Sequence, residues 1–259
     1  MIISKIMGGL GNQMFQYAYA RNLALVNDTD FYLDTTFYQN QGGVTHREFT
    51  LSKFPNLIMN LDIPQSLPPL TTITDNFIYD PNNIPKNNSL LNGYWQSEKY
   101  FKPSKLKIIQ DFAVDSETHK KLLTKYPDIL GNNISLHIRR GDYLHQTDFH
   151  PVQNIDYYEK ALEILGKYDN IFIFSDDIPW CKNNLNFTNM IFVEGNVDIE
   201  DLWLMSMCNH NIIANSSFSW WGAWLNTKKD KIVIAPNKWL GVSKTDNTKD
   251  LIPDKWIKI

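Results

Sequence analysis

Three residues in the middle of the chain have the chemistry of an anion site: His137, Arg139 and Arg140 lie at the end of an apolar run. Alternate residues of a strand share a face, so His137 and Arg139 point the same way, while Arg140 points oppositely or enters the turn. Guanidinium groups bind phosphate through a planar pair of donors, and parallel sheets bind ligands at the carboxyl ends of their strands. The segment therefore predicts a bound anion, best a diphosphate; the alternative is a structural ion pair with Asp142.

A second segment places polar side chains where a predicted strand turns into a helix. Asn215, Ser216 and Ser217 stand at this junction, and helix N-termini bind phosphate groups. The alternative role of the serines is N-capping, which does not exclude phosphate binding. Trp220 and Trp224 share one face of the following helix, and we favour core packing over sugar stacking for them.

Acidic residues offer two more candidate sites. Asp176 and Asp177 follow another predicted strand, where they could bind a metal, pair with arginine or cap the next helix. Asp201 lies in an apolar helix. It is either a first-turn helix acid or an acceptor for the two adjacent N–H donors of guanine.

A glycine-rich turn near the start of the chain lies between a predicted strand and a predicted helix, as in nucleotide-binding α/β units. Gly9 and Gly11 fit the start of the dinucleotide fingerprint, but Met14 stands where its third glycine should be. Backbone N–H groups of such a turn can approach phosphate or sugar, and a plain tight turn is an equal alternative.

Composition narrows the class of protein. Of the 259 residues, 43% are hydrophobic and 20% charged, as in soluble enzymes, and the net charge of -3 does not favour nucleic acid as a partner. Cys181 and Cys208 fit buried thiols in a reducing compartment. The sequence shows neither a signal-peptide pattern nor an apolar run of about 20 residues. We therefore expect a cytoplasmic protein with at most peripheral contact with the inner face of the membrane.

Beyond residue 131 short apolar strands alternate with helices, which predicts a parallel sheet covered on both faces. We place a domain boundary there, separating residues 1–130 from 131–259. Several prolines between 64 and 85 predict that no long helix forms in that region, and Pro103 is predicted to end the short helix 97–101. Predicted strands cover residues 2–7, 31–33, 90–95, 134–138, 171–174, 190–193, 211–214 and 232–235. Predicted helices cover residues 14–26, 97–101, 116–126, 156–165, 179–184, 199–208 and 218–225.

Five motifs, in order along nearly the whole chain, resemble those of the α-1,2-fucosyltransferases, family 11 of the glycosyltransferases. They are GGLGNQMFQYA (8–18), GYWQSEKYF (93–101), HIRRGDY (137–143), FSDD (174–177) and NSSFSWWG (215–222). The resemblance implies an α/β, GT-B-like fold with two Rossmann-type domains facing across a cleft. Residues 1–130 would form the acceptor side and 131–259 the GDP-fucose-binding domain. It also implies inverting transfer from GDP-β-L-fucose to a galactose-terminated oligosaccharide, without a metal or other cofactor.

The same resemblance implies roles for single residues. His137 would contact the nucleoside, Arg139 the β-phosphate and Asp201 the guanine, while Ser216 and Ser217 would hold the phosphate. The glycine turn would close over the pyrophosphate and the fucose. The predicted donor-binding residues are Gly9, Gly11, Asn12, Gln13, His137, Arg139, Arg140, Asp176, Asp201, Asn215, Ser216 and Ser217.

The acceptor hydroxyl requires a general base. The loop 144–152 offers Asp148 and His150, and the choice between them is open; together with His137 and Arg139 they are the predicted catalytic residues.

Two other functions are alternatives. One is fucosyl transfer in another linkage, such as α-1,6, whose enzymes share the HxRR element but not the SFSWWG block. The other is a sugar-binding module, which the helix–strand alternation disfavours because lectins are mostly β.

Overall fold

Two units of the chain each contain a parallel β-sheet. The computed structural model describes residues 1–42, 45–241 and 248–259. The first unit comprises Met1–Ala113 and Asn247–Pro253, and the second Val114–Asp246 and Asp254–Ile259. The division falls after Ala113 and not at residue 131, because the helix Ser116–Lys125 packs within the second unit: its Leu122 is buried in one cluster with Phe172 and Phe174.

The first unit is a four-stranded sheet in the order β2-β1-β4-β3, with every neighbouring pair parallel. Its elements are β1 (Ile2–Lys5), α1 (Leu10–Asn27), β2 (Phe31–Asp34), β3 (Thr71–Thr74), β4 (Ser89–Asn92) and α2 (Lys105–Asp111). Short 3-10 helices cover Thr36–Gln39, Leu51–Lys53, Glu98–Tyr100 and Lys102–Ser104.

Several elements of this unit depart from the sequence prediction. The helix α1 begins at Leu10, four residues before its predicted start, and β4 ends at Asn92, three residues before its predicted end. The proline-rich region contains β3, a mostly exposed strand of three threonines and an isoleucine, whose branched side chains suit an extended backbone. Pro103 was expected to end the local helical structure. It instead occupies the first turn of a 3-10 helix that leads into α2, a position where its missing N–H costs nothing.

The last segment of the first unit, Asn247–Pro253, is joined to it by Asp250. The carboxylate of Asp250 accepts a hydrogen bond from the backbone N–H of Tyr79 at 3.1 Å and pairs with Lys99 at 2.6 Å. Its backbone carbonyl accepts a hydrogen bond from the Ser97 hydroxyl at 2.7 Å. A segment near the end of the chain thus completes the first unit.

The second unit is a six-stranded parallel sheet in the order β10-β9-β8-β5-β6-β7. All its predicted strands and helices form, with ends within about two residues of the prediction. Among the described residues, β10 and the 3-10 helices Pro127–Leu130 and Gly141–His145 were not predicted. The elements are α3 (Ser116–Lys125), β5 (Asn133–Ile138), α4 (Ile155–Leu165), β6 (Asn170–Ser175), α5 (Ile178–Asn184), β7 (Met190–Phe192), α6 (Asp198–Met207), β8 (His210–Ile212), α7 (Ser217–Leu225), β9 (Val233–Ala235) and β10 (Ile257–Lys258).

Helices cover both faces of this second sheet. Leu136 and Ile173 pack with residues of α4 and α5 on one side, whereas Phe172 and Phe174 pack with α3 and α6 on the other. The tryptophans of α7 are fully buried, and Trp220 also packs against Trp256, so the expected core role is confirmed. None of the helices in the described ranges is long and apolar enough to cross a membrane.

Candidate active site

The carboxyl ends of three central strands bring the predicted anion-binding residues to one edge of the second sheet. Ile138 on β5 pairs in register with Ser175 on β6, and Leu136 pairs with Ile212 on β8. The residues that follow these strands, 139–145, 176–177 and 213–217, therefore emerge side by side. The Tyr143 hydroxyl donates to the carbonyl of Asn215 at 3.0 Å, which joins the first of these segments to the third.

Arg139 lies at the centre of this edge between two carboxylates. Its Nη2 is 2.6 Å from Asp142 Oδ1, its Nη1 is 3.1 Å from Asp176 Oδ2, and its guanidinium lies 5.3 Å from the Tyr143 ring. Burial alone would lower the pKa of Arg139, but Asp176 and Asp142 raise it, so the side chain stays charged. The buried Nε–H has no hydrogen-bond partner among the described residues, which leaves a donor for an anion.

Arg140 points away from Arg139, as strand alternation predicts. Its Nε pairs with Asp177 at 3.1 Å, and its guanidinium lies 3.8 Å from the centre of the Trp180 ring. Asp177 also caps α5 by accepting from the backbone N–H of Trp180. These contacts show that Arg140 packs against the start of α5. Its predicted contact with the donor stays a prediction.

His137 is a neutral imidazole in this site. Burial, and secondarily the charge of Arg139, lower its pKa to about 3. Its ring lies 5.8 Å from Phe218, and its Nδ1 is buried without a hydrogen-bond partner in the part of the chain that the structure describes. A group with this pKa is a poor proton acceptor near neutral pH, so His137 can orient a ligand by hydrogen bonding but is a weak general base.

The junction between β8 and α7 combines a structural amide with two hydroxyls. Asn215 donates to the carbonyl of Trp239 at 3.0 Å and accepts from Gln153 at 3.2 Å, so its side chain holds neighbouring loops. Ser216 is the N-cap residue of α7, yet its side chain makes no capping hydrogen bond within the described segments. Ser216 and Ser217 thus present hydroxyls at a helix N-terminus, where negative charge is stabilised.

Asp201 lies in the first turn of α6, the helix that follows the β7 strand. Burial raises its pKa to about 6, and a hydrogen bond from Asn196 at 2.9 Å opposes this shift. Asn196 is itself held by the hydroxyl of Tyr126 and the ammonium of Lys125. The carboxylate is therefore costly to ionise.

The glycine turn belongs to the first unit. Gly9 is the N-cap residue of α1, which begins at Leu10, and Gly11 is buried in its first turn. Gln13 is fully buried and donates to the carbonyls of Gly8 and Glu48 while accepting from the backbone of Thr50. Asn12 accepts from Gln96 at 2.7 Å. The two amides thus hold the turn in place, and their predicted contacts with a donor stay predictions.

The two candidate bases occupy the loop that follows the 3-10 helix Gly141–His145. Asp148 is exposed, and its backbone carbonyl packs against Gly241. The His150 ring stacks on Tyr143 at 4.4 Å with an 11° angle between the planes. Since the Tyr143 ring also contacts Arg139, His150 is connected to the centre of the site.

Tyr143, Trp180 and Asn196 are the residues of this region that sequence reasoning missed. Tyr143 belongs to the HIRRGDY motif, so its position was a usable signal, whereas Trp180 and Asn196 carry no local pattern that marks their contacts. No group of three His, Cys, Asp or Glu side chains that could hold a metal ion occurs within the described residues.

The fold has known relatives among sugar-transferring enzymes. A solved structure of NodZ α-1,6-fucosyltransferase soaked with GDP-fucose superimposes with a TM-score of 0.54 at 15% identity, covering 86% of this chain and 91% of that one. This likeness concerns the fold alone and defines it as GT-B-like, as expected from the motifs.

The chain belongs to glycosyltransferase family 11, whose sequence model (Glycosyl transferase family 11) matches residues 71–259. An α-1,2-colitosyltransferase of Escherichia coli is 34% identical, over 100% of this chain and 99% of that protein. The O-antigen biosynthesis glycosyltransferase WbnK of Escherichia coli is 33% identical over 99% of both chains. A galactoside α-(1,2)-fucosyltransferase 2 of Hylobates lar is 26% identical, over 88% of this chain and 70% of that protein.

We predict that Asp201→Asn stabilises the ligand-free protein at pH 7 by about 1–3 kcal/mol. The pKa of Asp201 is raised in the folded state, so ionisation of this carboxyl lowers the free energy of unfolding, and asparagine does not ionise. The cost of ionisation grows as pH rises towards the folded pKa of about 6. It is much smaller at pH 4, where the folded carboxyl is protonated and the unfolded one, with the ordinary pKa of 3.8, is only about half ionised. Urea unfolding at pH 4 and pH 7 measures the difference.

The exposed Asp230 provides the control, since Asp230→Asn should change the unfolding free energy by no more than about 0.5 kcal/mol at either pH. If Asp201→Asn is no more stable than wild type at pH 7, the Asp201 carboxylate is adequately solvated and its proposed cost is wrong.

Proposed function

We propose that this protein transfers L-fucose from GDP-β-L-fucose to the 2-hydroxyl of a terminal galactoside, with inversion, on a surface glycan or its precursor. The observation that carries the proposal is Arg139, a charged guanidinium with a buried Nε–H lacking a partner among the described residues, at the carboxyl end of a central parallel strand. Family membership and the named α-1,2 relatives support the linkage. The relative that acts in O-antigen biosynthesis supports a surface glycan.

In this reaction the chemistry of the site follows from where charge develops. Departure of GDP places negative charge on the β-phosphate while the sugar becomes oxocarbenium-like. Arg139 and the N-terminus of α7 would stabilise that charge by preorganised electrostatics. The neutral His137 would orient the donor and not titrate. His150 is the better-supported base, because its contact with Tyr143 connects it to Arg139.

A second candidate donor is a colitosyl nucleotide. The relative that is 34% identical over the whole chain is named an α-1,2-colitosyltransferase, and nothing in the residues discussed above separates the two sugars. Transfer in α-1,6 linkage has weaker support, because NodZ resembles this chain in fold at only 15% identity.

We expect the purified protein to release GDP and form an α-1,2-linked product from GDP-fucose and a β-galactoside, with the linkage read by NMR. The matched control is the 2-deoxygalactoside, which lacks the attacking hydroxyl and should give no product. Parallel reactions with GDP-colitose identify the preferred sugar. A product in another linkage, or preference for GDP-colitose, would replace the proposed specificity; the absence of transfer from both donors would refute the function.

If Asp201 accepts from guanine, we expect GDP to inhibit at least about tenfold better than ADP, because adenine leaves a buried carboxylate without its partners. Asp201→Asn should reduce this ratio, since its amide group opposes one of the two guanine donors. Inhibition constants of both nucleotides on both proteins, measured from pH 5 to 8, test this. The ratio should fall in wild type as pH drops below about 6. A ratio that is the same in the variant would assign guanine recognition to other residues.

We also propose that transfer requires no metal, because Arg139 and the α7 N-terminus can supply the positive charge that the diphosphate needs. Activity should then survive an excess of EDTA over protein and divalent ions. Loss of activity with EDTA that is restored by Mg²⁺ or Mn²⁺ would contradict this and direct attention to Asp176 and Asp177.

A further inference from the structure

Asp176 makes three contacts with the loop that carries Arg139. Its Oδ1 accepts a hydrogen bond from the backbone N–H of Arg140 at 2.9 Å, and its Oδ2 pairs with Arg139 Nη1 at 3.1 Å. A Cβ atom added to Gly141 would lie 2.4 Å from Oδ2, so the carboxylate occupies the space that a side chain at 141 would take. One carboxylate therefore fixes both the backbone turn and the guanidinium.

These contacts determine which donors of Arg139 can reach a ligand. A guanidinium has five N–H groups, and the ion pairs with Asp142 and Asp176 engage one terminal nitrogen each. The Nε–H is buried and has no partner in the described residues. Asp176 thus fixes the plane of the Arg139 guanidinium, and the Nε–H can donate to another acceptor.

We propose that Asp176 is a positioning residue for transfer: it does not bind the donor but holds Arg139 in the orientation that binds the diphosphate. The inference rests on the proposed function. A second effect of Asp176 on nucleotide affinity has the opposite sign, because a carboxylate beside an anion site repels the anion. If repulsion dominates, removing the charge of Asp176 tightens nucleotide binding; if positioning dominates, removing it weakens binding.

Asp177 supplies a matched control. It is the next residue on the same loop, its side chain is 29% exposed against 24% for Asp176, and it pairs with Arg140 at the same distance of 3.1 Å. Asp177→Asn therefore removes an equal charge from the same loop without touching the contact with Arg139. Melting temperatures of the variants report any loss of fold, which we expect to be small for Asp177→Asn because asparagine also provides the oxygen that caps α5.

The experiment measures GDP affinity by calorimetry, which needs neither acceptor nor turnover. We expect Asp176→Asn to weaken GDP binding about tenfold or more, since small misplacement of a positioned group has large effects, whereas Asp177→Asn stays within about threefold of wild type. Gly141→Ala should weaken binding similarly, because it displaces the carboxylate while keeping the charge. Binding by Asp176→Asn that is equal to or tighter than wild type would overturn the proposal.

A double-mutant cycle with Arg139→Lys separates positioning from direct contact. Lysine lacks the fork, so in that background Asp176→Asn should cause no further loss of GDP affinity. Additive losses would mean that Asp176 acts independently of Arg139, and the proposal would be wrong.

The NMR signal of the Arg139 Nε–H, assigned by its absence in Arg139→Lys, tests the positioning without any nucleotide. It should shift in Asp176→Asn and stay in place in Asp177→Asn. If wild type binds no GDP, the proposed function fails, and this signal still decides the positioning role: an unshifted signal in Asp176→Asn overturns it.

Discussion

The pairing of the half-buried Arg139 guanidinium with Asp142 and Asp176 is the interaction on which the rest of this site depends. A guanidinium group can leave water only if carboxylates or other acceptors surround it. Asp142 and Asp176 meet that need with contacts at opposite ends of the fork. In the register of β5 with β6, Ile138 pairs directly with Ser175. The next residues, Arg139 and Asp176, therefore lie beside each other.

Burial acts in opposite directions on the pKa values of His137 and Asp201. It lowers the pKa of His137 to about 3 and raises that of Asp201 to about 6, and in both cases it favours the neutral form. At pH 7 His137 is therefore neutral, whereas Asp201 ionises at a cost in free energy. A donor that brings a diphosphate and a base with N–H groups would supply acceptors for the arginine and donors for Asp201.

Much of the second unit was predictable from sequence, because its strands are short apolar runs between turn residues and its helices begin with recognisable signals. The residues that follow β5, β6 and β8 were correctly predicted to lie at strand ends, and the register of the three strands brings them to one edge. The division at Ala113 was not predictable, since the packing of Leu122 against Phe172 and Phe174 is a tertiary contact. The β3 strand and α2 were missed because prolines near them suggested breaks, whereas Pro103 lies where a helix can begin.

The return of residues 247–253 to the first unit makes both units discontinuous in sequence. Asp250 is hydrogen-bonded to Tyr79, Ser97 and Lys99, and seven residues later, at Ile257, the chain begins its last strand beside β9. Recombination at a single crossover point would therefore exchange neither unit by itself. A hybrid that exchanges the first unit of this chain must carry residues 247–253 along with residues 1–113, so it requires three joints instead of one.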